Sequence, residues 1–463
     1  MTTAAHSALP AGAITRDHPD YAEACHIWNA DVTLQRRPLA IVKCKSVEEV
    51  QATVRYTVAN GLPLAVRCGG HSFPGHSICD DGVVIDLTPL NDVVVDAEAR
   101  RAQVGGGALW RHVDQATQKH GLAVTAGVVS HTGVGGLTLG GGVGYLHKKF
   151  GLTCDNLLSA ELVDYRGKVH QVDAESNPDL FWALRGGGGN FGIVTRFEFQ
   201  LHEVGPEVVT GWIGWPFEQK ADVMRMYRDA VAGAPPELLL HMLVFPAGIY
   251  GTDLVPEEQW YKPMIVIRPN YVGPVDAWER DEVLQSVRSF GSPLMDTMAP
   301  TTYVKLQSTF DELFGPGNSI YIKVANLRSM DDDVVDTLVE QLDNRPNDDC
   351  EFEIFPLGGA VSDVSADATA FGDRESQFLC ECVYRWEDPK EREVGIAWAR
   401  GAYRSVGRFS TGMAYMNFLA DDDEGTVAAA YGGAHWDRLR QIKRKFDPDN
   451  VFRINQNISP AED

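Results

Sequence analysis

Hydrophobic residues in the first two hundred positions follow both helical and strand-like spacings. Residues 46–49 (Ser-Val-Glu-Glu) have the form of a capping box, and apolar residues at helical spacing follow it until Gly61. Short apolar or alternating runs then predict strands at residues 62–66, 82–87, 92–96 and 101–104. The first part of the chain is therefore predicted to combine helices with several short strands.

The pattern changes near residue 204, and residues 206–424 carry longer strand-like runs. These runs are 208–215, 238–245, 264–267, 320–324, 350–355 and 378–386, with helical stretches such as 332–342 between them. An antiparallel sheet with helices on one side, a second domain of the α+β kind, is predicted. The tail begins with a basic amphipathic helix at 435–446, and residues 451–457, which group several amides, are expected to return to the first domain.

Three glycine clusters interrupt the first part, at residues 105–107, 133–144 and 186–189. Such clusters occur where backbone adopts positive φ or lies against a flat or anionic group, so a diphosphate held by backbone N–H groups is a candidate ligand. Residues 187–192 spell G-x-G-x-x-G, but a predicted helix precedes them and a strand follows. That order is the reverse of the Rossmann fingerprint, which is therefore excluded.

His71 is the first candidate for chemistry. A strand-like run ends in Gly69-Gly70-His71, and a glycine pair lets backbone approach a ligand closely. From these residues alone, His71 is either a reactive side chain at the turn or a buried turn histidine.

Charge and composition restrict the partners. The chain has 463 residues, enough for two or three domains, and a formal net charge of -23 at pH 7. This charge disfavours nucleic acids and anionic membranes, so a small-molecule partner is expected. We find no secretory signal in residues 1–17 and no membrane span. The eight cysteines are scattered and predict reduced thiols in the cytoplasm, and no metal site is expected.

Five stretches together carry a resemblance to a known family. They are 67–72 (Arg-Cys-Gly-Gly-His-Ser), 134–145 (Val-Gly-Gly-Leu-Thr-Leu-Gly-Gly-Gly-Val-Gly-Tyr), 151–156 (Gly-Leu-Thr-Cys-Asp-Asn), 180–195 and 445–458. In this order they resemble the FAD-linked oxidases of the vanillyl-alcohol oxidase/p-cresol methylhydroxylase superfamily. Within it, the sequence is similar to the berberine-bridge-enzyme-like branch and its bacterial 6-hydroxynicotine oxidase-type members.

The resemblance implies an α+β fold in which a two-part, PCMH-type FAD-binding domain carries an inserted antiparallel-sheet substrate domain. The implied parts are residues 30–205 for the FAD-binding domain, 206–424 for the substrate-binding domain and 425–463 for the returning C-terminal segment. It also implies FAD linked covalently through its 8α-methyl carbon to His71. The other residues expected to bind the cofactor are Arg67, Gly69, Gly70, Ser72, Ser130, Thr132, Gly135, Gly136, Gly140, Gly141, Gly144, Asn190, Gly192, Ile193, Val194, Asn455 and Asn457.

Two departures from the family pattern matter. Val129 stands where many members carry a second, cysteinyl flavin link, so one covalent link is expected and Cys154 is interpreted as a packing residue. Phe418 follows Asn417 where many relatives have a tyrosine base. Glu381 is the predicted replacement, and its alternative interpretation is a strand glutamate paired with an arginine. Further catalytic candidates are Tyr145, His147, Tyr384, Tyr415 and Asn417.

The resemblance implies an oxidase that transfers a hydride from a C–H next to an alcohol or amine to flavin N5, with O2 reduced to H2O2. Small residues at Gly135 and Thr132 are compatible with oxygen access. A dehydrogenase with another acceptor, an oxidative cyclase and a non-redox enzyme that retains the flavin stay open. Six aromatic residues could form a sugar-stacking platform or the wall of an aromatic pocket: Trp212, Trp215, Tyr250, Trp260, Tyr261 and Tyr271.

Overall fold

The protein was analysed as a computed structural model, which describes residues 9–33, 35–246, 254–420 and 426–462. In these ranges no helix is both long and apolar enough to cross a membrane. Tyr250, one of the six aromatic candidates, lies outside the described residues.

The first part contains eleven short strands and seven helices in its described residues. The strands are β1 (Ile14–Thr15), β2 (Ala40–Lys43), β3 (Leu64–Arg67), β4 (Val83–Asp86), β5 (Val93–Asp96), β6 (Arg101–Gly105), β7 (Leu122–Ala123), β8 (Leu157–Val163), β9 (Val169–Asp173), β10 (Ile193–Gln200) and β11 (His202–Glu203). The helices are α1 (Tyr21–Ala24), α2 (Ala30–Thr33), α3 (Val47–Ala59), α4 (Trp110–Thr117), α5 (Val134–Leu139), α6 (His147–Phe150) and α7 (Pro178–Leu184).

These strands form two main sheets. The first has the order β1-β2-β4-β3, and its strands β2, β4 and β3 are parallel. Every residue of β4 is buried, as expected of a parallel strand covered on both faces. The second sheet is antiparallel, with the order β5-β6-β10-β8-β9. At the start of α3, the backbone N–H of Glu49 donates to Ser46 Oγ (3.4 Å), so the predicted cap forms.

The second part is built on one large sheet. Its strands are β12 (Glu207–Thr210), β13 (Ile213–Pro216), β14 (Leu238–Pro246), β15 (Pro263–Tyr271), β16 (Met295–Asp296), β17 (Ala299–Thr302), β18 (Ser319–Leu327), β19 (Cys350–Pro356) and β20 (Phe378–Trp386). Its helices are α8 (Lys220–Gly233), α9 (Glu282–Arg288), α10 (Tyr303–Gln307), α11 (Asp332–Asp343), α12 (Ala360–Asp363) and α13 (Arg392–Gly407). Helices α14 (Thr426–Tyr431) and α15 (Gly433–Phe446) follow in the tail.

The large sheet is antiparallel throughout, with the central order β16-β13-β15-β14-β19-β20-β18 and with β12 between β15 and β17. The single strand predicted at 208–215 is wrong: it is two strands that separate at Gly211. There the backbone passes so close to the next segment that a Cβ would lie 2.5 Å from the Met298 nitrogen. A glycine is needed at this crossing.

One face of the large sheet packs against α8, α11 and α13, and the other faces the first part of the chain. On β20 the alternate residues Cys380, Cys382 and Tyr384 belong to the core under the helices. Glu381 points the opposite way, because successive side chains of a strand alternate between its faces. Helices on one side of an antiparallel sheet are thus confirmed, as is the α+β class.

The tail packs against the first part of the chain through a buried lysine. The fully buried ammonium of Lys443 on α15 donates to the carbonyl of Asn190 (2.7 Å), to that of Phe452 (2.9 Å) and to Asp447 Oδ2 (2.7 Å). This bond set fixes the tail against the third glycine cluster. The boundaries at residues 205/206 and 424/425 stay predictions.

Candidate active site

A deep cavity lies between the glycine-rich segments and the helix-free face of the large sheet. Eleven of the predicted cofactor residues line it: Gly69, Gly70, His71, Ser72, Thr132, Gly135, Gly136, Gly192, Ile193, Val194 and Asn455. The cluster glycines Gly106, Gly133, Gly188 and Gly189 line it as well. The substrate-domain side contributes Glu353, Phe355, Glu381, Tyr415 and Asn417. The cavity therefore collects residues from all three predicted parts of the chain.

The glycines of this cavity form a cradle. A Cβ built on Gly136 or Gly189 meets nothing within 4 Å, so the backbone there borders open space. A Cβ on Gly69 would lie 2.3 Å from the nitrogen of Gly133, so those two segments touch directly. Asn455 Oδ1 is buried and has no hydrogen-bond partner among the described residues. Exposed backbone and an unpaired amide suit a flat, polyanionic group, and the cradle therefore fits FAD.

His71 lies at the turn after β3, on the wall of the cavity. Its ring stacks on Trp28 with centroids 5.0 Å apart, and its Nε2 lies 2.7 Å from Nδ1 of His131. Burial, and secondarily His131, lowers the pKa of His71 to about 3. The imidazole is therefore neutral near pH 7 and keeps a nitrogen lone pair.

Glu381 is 4 % exposed and projects from β20 into the cavity. Its partners across the sheet are Glu353 on β19 and Val324 on β18, and neither offers a cation. Its Oε1 has no hydrogen-bond partner in the described part of the chain. Burial, and then the charge of Glu353, raises the pKa of Glu381 well above its usual range.

The comparisons with known proteins agree with this geometry. The family model described as "FAD binding domain" matches residues 38–173, and the one described as "Berberine and berberine like" matches residues 414–459. The (R)-6-hydroxynicotine oxidase of Paenarthrobacter nicotinovorans is 30% identical over 96% of this chain and 95% of that protein. This chain belongs to the berberine bridge enzyme-like family. It is an FAD-linked oxidoreductase, as the relatives' names state.

Further relatives and solved structures extend the likeness over the whole chain. Berberine bridge enzyme-like 5 of Arabidopsis thaliana is 30% identical over 91% of this chain and 84% of that protein. The crystal structure of 6-hydroxy-D-nicotine oxidase from Arthrobacter nicotinovorans superposes with a TM-score of 0.85, 27% identity and 100% coverage of both chains. Wild-type Phl p 4.0202, a glucose dehydrogenase, shares the fold at a TM-score of 0.84, 23% identity and 97% coverage of both chains.

Four predicted cofactor contacts of this berberine bridge enzyme-like protein lie away from the cavity. Arg67 is buried in an ion pair with Asp86 (2.8 Å), which fixes the end of β3. Ser130 donates its backbone N–H and its hydroxyl to the carboxylate of Asp311 (2.8 and 2.6 Å). Asn190 donates to the backbone carbonyl of Gln456 (3.1 Å) and so holds the tail. Asn457 does not line the cavity either, and its Oδ1 is buried without a hydrogen-bond partner among the described residues.

Three predicted cofactor glycines instead allow close packing. A Cβ on Gly140 would lie 2.0 Å from Asn417 Oδ1, and one on Gly141 would lie 2.9 Å from the ring of Phe371. At Gly144 the overlap is with backbone, 1.7 Å from the Ala126 oxygen. Gly140 and Gly141 bring the second cluster against the substrate domain, whereas Gly144 packs against the first part itself. None of the three lines the cavity.

Three predicted catalytic side chains are placed elsewhere. Tyr384 lies under the helices and donates to the carbonyl of Glu391 (3.0 Å), because it shares the face of β20 opposite to that of Glu381. His147 is fully buried, with Nε2 2.8 Å from the Pro356 carbonyl. Tyr145 is buried behind the cavity wall and receives a hydrogen bond from Arg268 (2.6 Å).

Tyr415 and Asn417 line the cavity but are committed to the backbone. The Tyr415 hydroxyl accepts hydrogen bonds from the N–H groups of Gly142 and Val143 (3.1 Å each) and from Asn417 Nδ2 (2.9 Å). Asn417 Nδ2 also donates to Leu137 O (3.1 Å). Burial raises the pKa of Tyr415 to about 12. Both residues hold the second glycine cluster, and a structural role fits them better than proton transfer.

The arginine on the Glu381 strand pairs with another carboxylate. Arg385 forms its ion pair with Glu351 on β19, so the alternative interpretation of Glu381 as an arginine-paired strand residue does not match the structure. Glu353, two residues farther along β19, lies 3.6 Å from His241 Nε2 through its Oε2. The alternation of acidic and apolar residues in 350–355 could have revealed Glu353 as a second cavity carboxyl.

The aromatic wall differs from the predicted set. Trp212, Trp215 and Tyr271 are buried in the sheet cores, Trp260 packs at their edge, and Tyr261 is 84 % exposed. None of these five lines the cavity. Its aromatic lining is instead Trp28, Phe73, Phe197, Phe314, Phe355, Tyr415, Phe418 and Phe452. Most of these residues come from loops or single strand positions, which carry no periodic signal in the sequence.

The cysteines follow the prediction in part. Val129 lines the cavity, whereas Cys154 is fully buried in the core and its pKa is raised well above the usual range by burial. Cys68, which the sequence reasoning passed over, lines the cavity and donates to Ala108 O (3.3 Å). Burial raises its pKa to about 11, so it is an unreactive thiol. In the described ranges no group of three or more His, Cys, Asp or Glu could hold a metal ion.

Proposed function

We propose that this protein is an oxidase that removes a hydride equivalent from a C–H bond next to an alcohol or amine of a small organic substrate, with O2 as the final acceptor. The observation that carries the proposal is Glu381: a buried carboxyl with a free oxygen, aimed into the cavity that the glycine cradle and His71 also line. Perturbed ionisable groups that converge in one cleft are typical of active sites.

The residues of the cradle would hold FAD, and His71 would carry its one covalent link. The neutral imidazole of His71 supports this assignment, since only an unprotonated nitrogen can form a bond to carbon. Val129 at the cavity wall supports a single link, because it has no nucleophile. When bound, FAD supplies a two-electron acceptor, and a covalent histidyl link prevents its loss.

Glu381 would take the O–H or N–H proton of the substrate while the adjacent C–H is oxidised. Burial and the like charge of Glu353 raise the pKa of Glu381 well above its usual range, which makes its carboxylate a stronger base. Phe355, two residues along β19 from Glu353, adds apolar surface to the same cavity, and Phe418 also lines it. Phe418 cannot itself exchange a proton, so the carboxyl carries the role alone.

The lining favours a small substrate with a ring or another apolar body. Aromatic side chains and the two carboxyls of Glu353 and Glu381 line the same cavity, and such a site suits an amine or alcohol borne on an apolar skeleton. The name of the (R)-6-hydroxynicotine oxidase relative supports a substrate of this kind. An oxidative cyclisation of such a substrate would use the same first step.

Oxygen as the acceptor is supported by Gly135 and Thr132, which are small and line the cavity. The alternative is a dehydrogenase with another acceptor, and the fold itself accommodates both activities: wild-type Phl p 4.0202 is a glucose dehydrogenase, whereas a single-residue variant of Phl p 4 is a glucose oxidase. Reduced flavin that persists in air would identify the dehydrogenase.

All eight cysteines are free, and we propose a cytoplasmic location on this ground.

Anaerobic flavin bleaching tests the redox proposal. Glu381→Gln should keep its flavin spectrum and lose about 100-fold or more of the reduction rate with an amine or alcohol substrate that reduces the wild type. Glu351→Gln is the matched control, because Glu351 is a buried glutamate of the neighbouring strand that does not line the cavity. An unchanged rate in Glu381→Gln would exclude Glu381 as the base, and a panel of amines and alcohols that never bleaches the flavin would favour a non-redox role.

Acid precipitation tests the covalent link. The wild-type pellet should stay yellow, the His71→Ala pellet should be colourless, and Cys154→Ala should behave as wild type. A colourless wild-type pellet with flavin in the supernatant would show that FAD binds without a covalent bond.

A further inference from the structure

Beside His71 lies a second histidine with an ordered set of hydrogen bonds. His131 Nδ1 is 2.7 Å from His71 Nε2, and the other nitrogen of His131, Nε2, is 3.3 Å from the backbone oxygen of Asp311. The three groups form a line from the loop before β18 of the substrate domain to the cavity wall. No hydrogen bond from the described residues reaches His71 Nδ1.

The carbonyl at the end of this line decides where the protons are. A carbonyl oxygen can only accept, so Nε2 of His131 must carry a hydrogen and donate it to Asp311. In a neutral imidazole the other nitrogen is then an acceptor, so His131 Nδ1 receives a hydrogen bond from His71 Nε2–H. His71 Nδ1 is therefore left with its lone pair. One backbone oxygen thus selects the tautomer of two imidazoles.

The same elements prevent either ring from turning away. The residue before His131, Ser130, is bonded through its backbone and its hydroxyl to the Asp311 carboxylate (2.8 and 2.6 Å). His131 is thereby held by two successive residues against one acidic residue. The His71 ring is held by the indole of Trp28, which stacks on it with an interplanar angle of 21°.

We propose that His131 is the positioning residue and proton acceptor for covalent attachment of FAD to His71. The inference rests on the proposed His71 link. As the bond from His71 Nδ1 to the 8α-methyl carbon forms, a C–H bond of that methyl group breaks, its proton leaves and its electron pair passes to the flavin ring. His71 Nε2–H gives its proton to His131. O2 takes up the two electrons and two protons as H2O2, which restores the oxidised flavin.

The need for such an acceptor follows from burial. A ring that gains a carbon at Nδ1 while keeping its Nε2 proton is a cation, and a buried cation without a partner is costly. The burial that lowers the pKa of His71 would oppose that charge in the same way. Transfer of the proton to His131 removes the charge from the alkylated ring and places it next to the Asp311 carbonyl.

The test compares four variants of the full chain purified with FAD present. His131→Ala removes the acceptor. His131→Asn places an amide oxygen near the position of Nδ1, whereas His131→Gln places its amide near the position of Nε2, beyond reach of His71. His76→Ala is the control, because His76 lines the same cavity and lies outside the line from His71 through His131 to Asp311.

The measurement is the intact mass of the denatured protein, followed over time with excess FAD in air, together with the flavin that the native protein retains. We expect covalent attachment about 100-fold slower in His131→Ala and His131→Gln, with flavin still bound. The rate in His131→Asn should lie between those of His131→Ala and wild type, because its amide oxygen accepts the hydrogen bond from His71 but cannot take up the proton. His76→Ala should match wild type.

Three results would overturn the proposal. They are a wild-type rate of attachment in His131→Ala, a wild-type rate in His131→Asn, which would show that His131 is not the proton acceptor, or loss of all native flavin binding in every His131 variant, which would assign His131 to binding instead. A wild-type protein that binds FAD and never forms the adduct would contradict the His71 link itself, which is a separate result.

Discussion

Replacing Tyr415 by phenylalanine separates a structural from a catalytic role for a residue that lines the cavity. The side chain is 2 % exposed, and its hydroxyl is the acceptor for the N–H groups of Gly142 and Val143. Phenylalanine leaves both donors buried without an acceptor. At about 1–3 kcal/mol for each unsatisfied buried donor, the variant should lose about 2–6 kcal/mol of unfolding free energy. Asn417 Nδ2 keeps its second acceptor, Leu137 O, and adds little.

The assay is urea unfolding of the FAD-loaded chain followed by circular dichroism, with the shift of the midpoint multiplied by the common slope. Tyr384→Phe is the matched control. Its hydroxyl donates to the Glu391 carbonyl and leaves no buried backbone N–H group without an acceptor when it is removed, so the expected loss is about 1 kcal/mol. The pH profile of anaerobic flavin reduction should keep the same shape in both variants, since neither phenol transfers the substrate proton.

One combination of results would refute this reasoning. If Tyr415→Phe unfolds at the wild-type urea concentration while flavin reduction slows 100-fold and its pH profile changes, the phenol is the base. Glu381 would then have to be reassigned.

Two further predictions concern carboxyl groups. Asp155→Asn breaks the buried ion pair in which two hydrogen bonds of 2.8 Å join Asp155 to Arg374, and it should cost about 3–5 kcal/mol of unfolding free energy in the same urea assay. Asp92→Asn, in an exposed ion pair, is the control and should cost at most about 1 kcal/mol. Equal losses would contradict a stabilising role for the buried pair. Because Glu381 accepts a proton only when ionised and its pKa is raised, flavin reduction should fall as pH falls through that raised value. Glu353→Gln removes the like charge and should move this fall to lower pH, and a shift to higher pH would show that Glu353 does not oppose ionisation of Glu381.

The sequence predicted the elements whose side chains follow a period. Strand 378–386 and helix 332–342 match the structure within one residue, because alternation and helical spacing are set by neighbouring residues. The position of Glu381 on the cavity face follows from the same alternation. The glycine clusters and His71 were found because they are local departures from these periods.

Contacts between distant segments could not be read from the sequence. Arg67 and Asn190 belong to family motifs and Ser130 lies shortly before one, yet each of the three side chains bonds to a distant protein group and does not line the cavity. Tyr145 likewise faces Arg268, more than a hundred residues away. A motif shows which residue type a position needs, but the packing of the folded chain determines which group that residue contacts.

By itself, then, the sequence determined the α+β class, the glycine cradle, the candidate base and the family, since each rests on local order along the chain. Only the tertiary structure decided that Glu353 stands beside Glu381 and that His131 meets His71. Those pairs join residues 28 and 60 positions apart, and their chemistry depends on distances of a few ångströms that no spacing in the chain encodes.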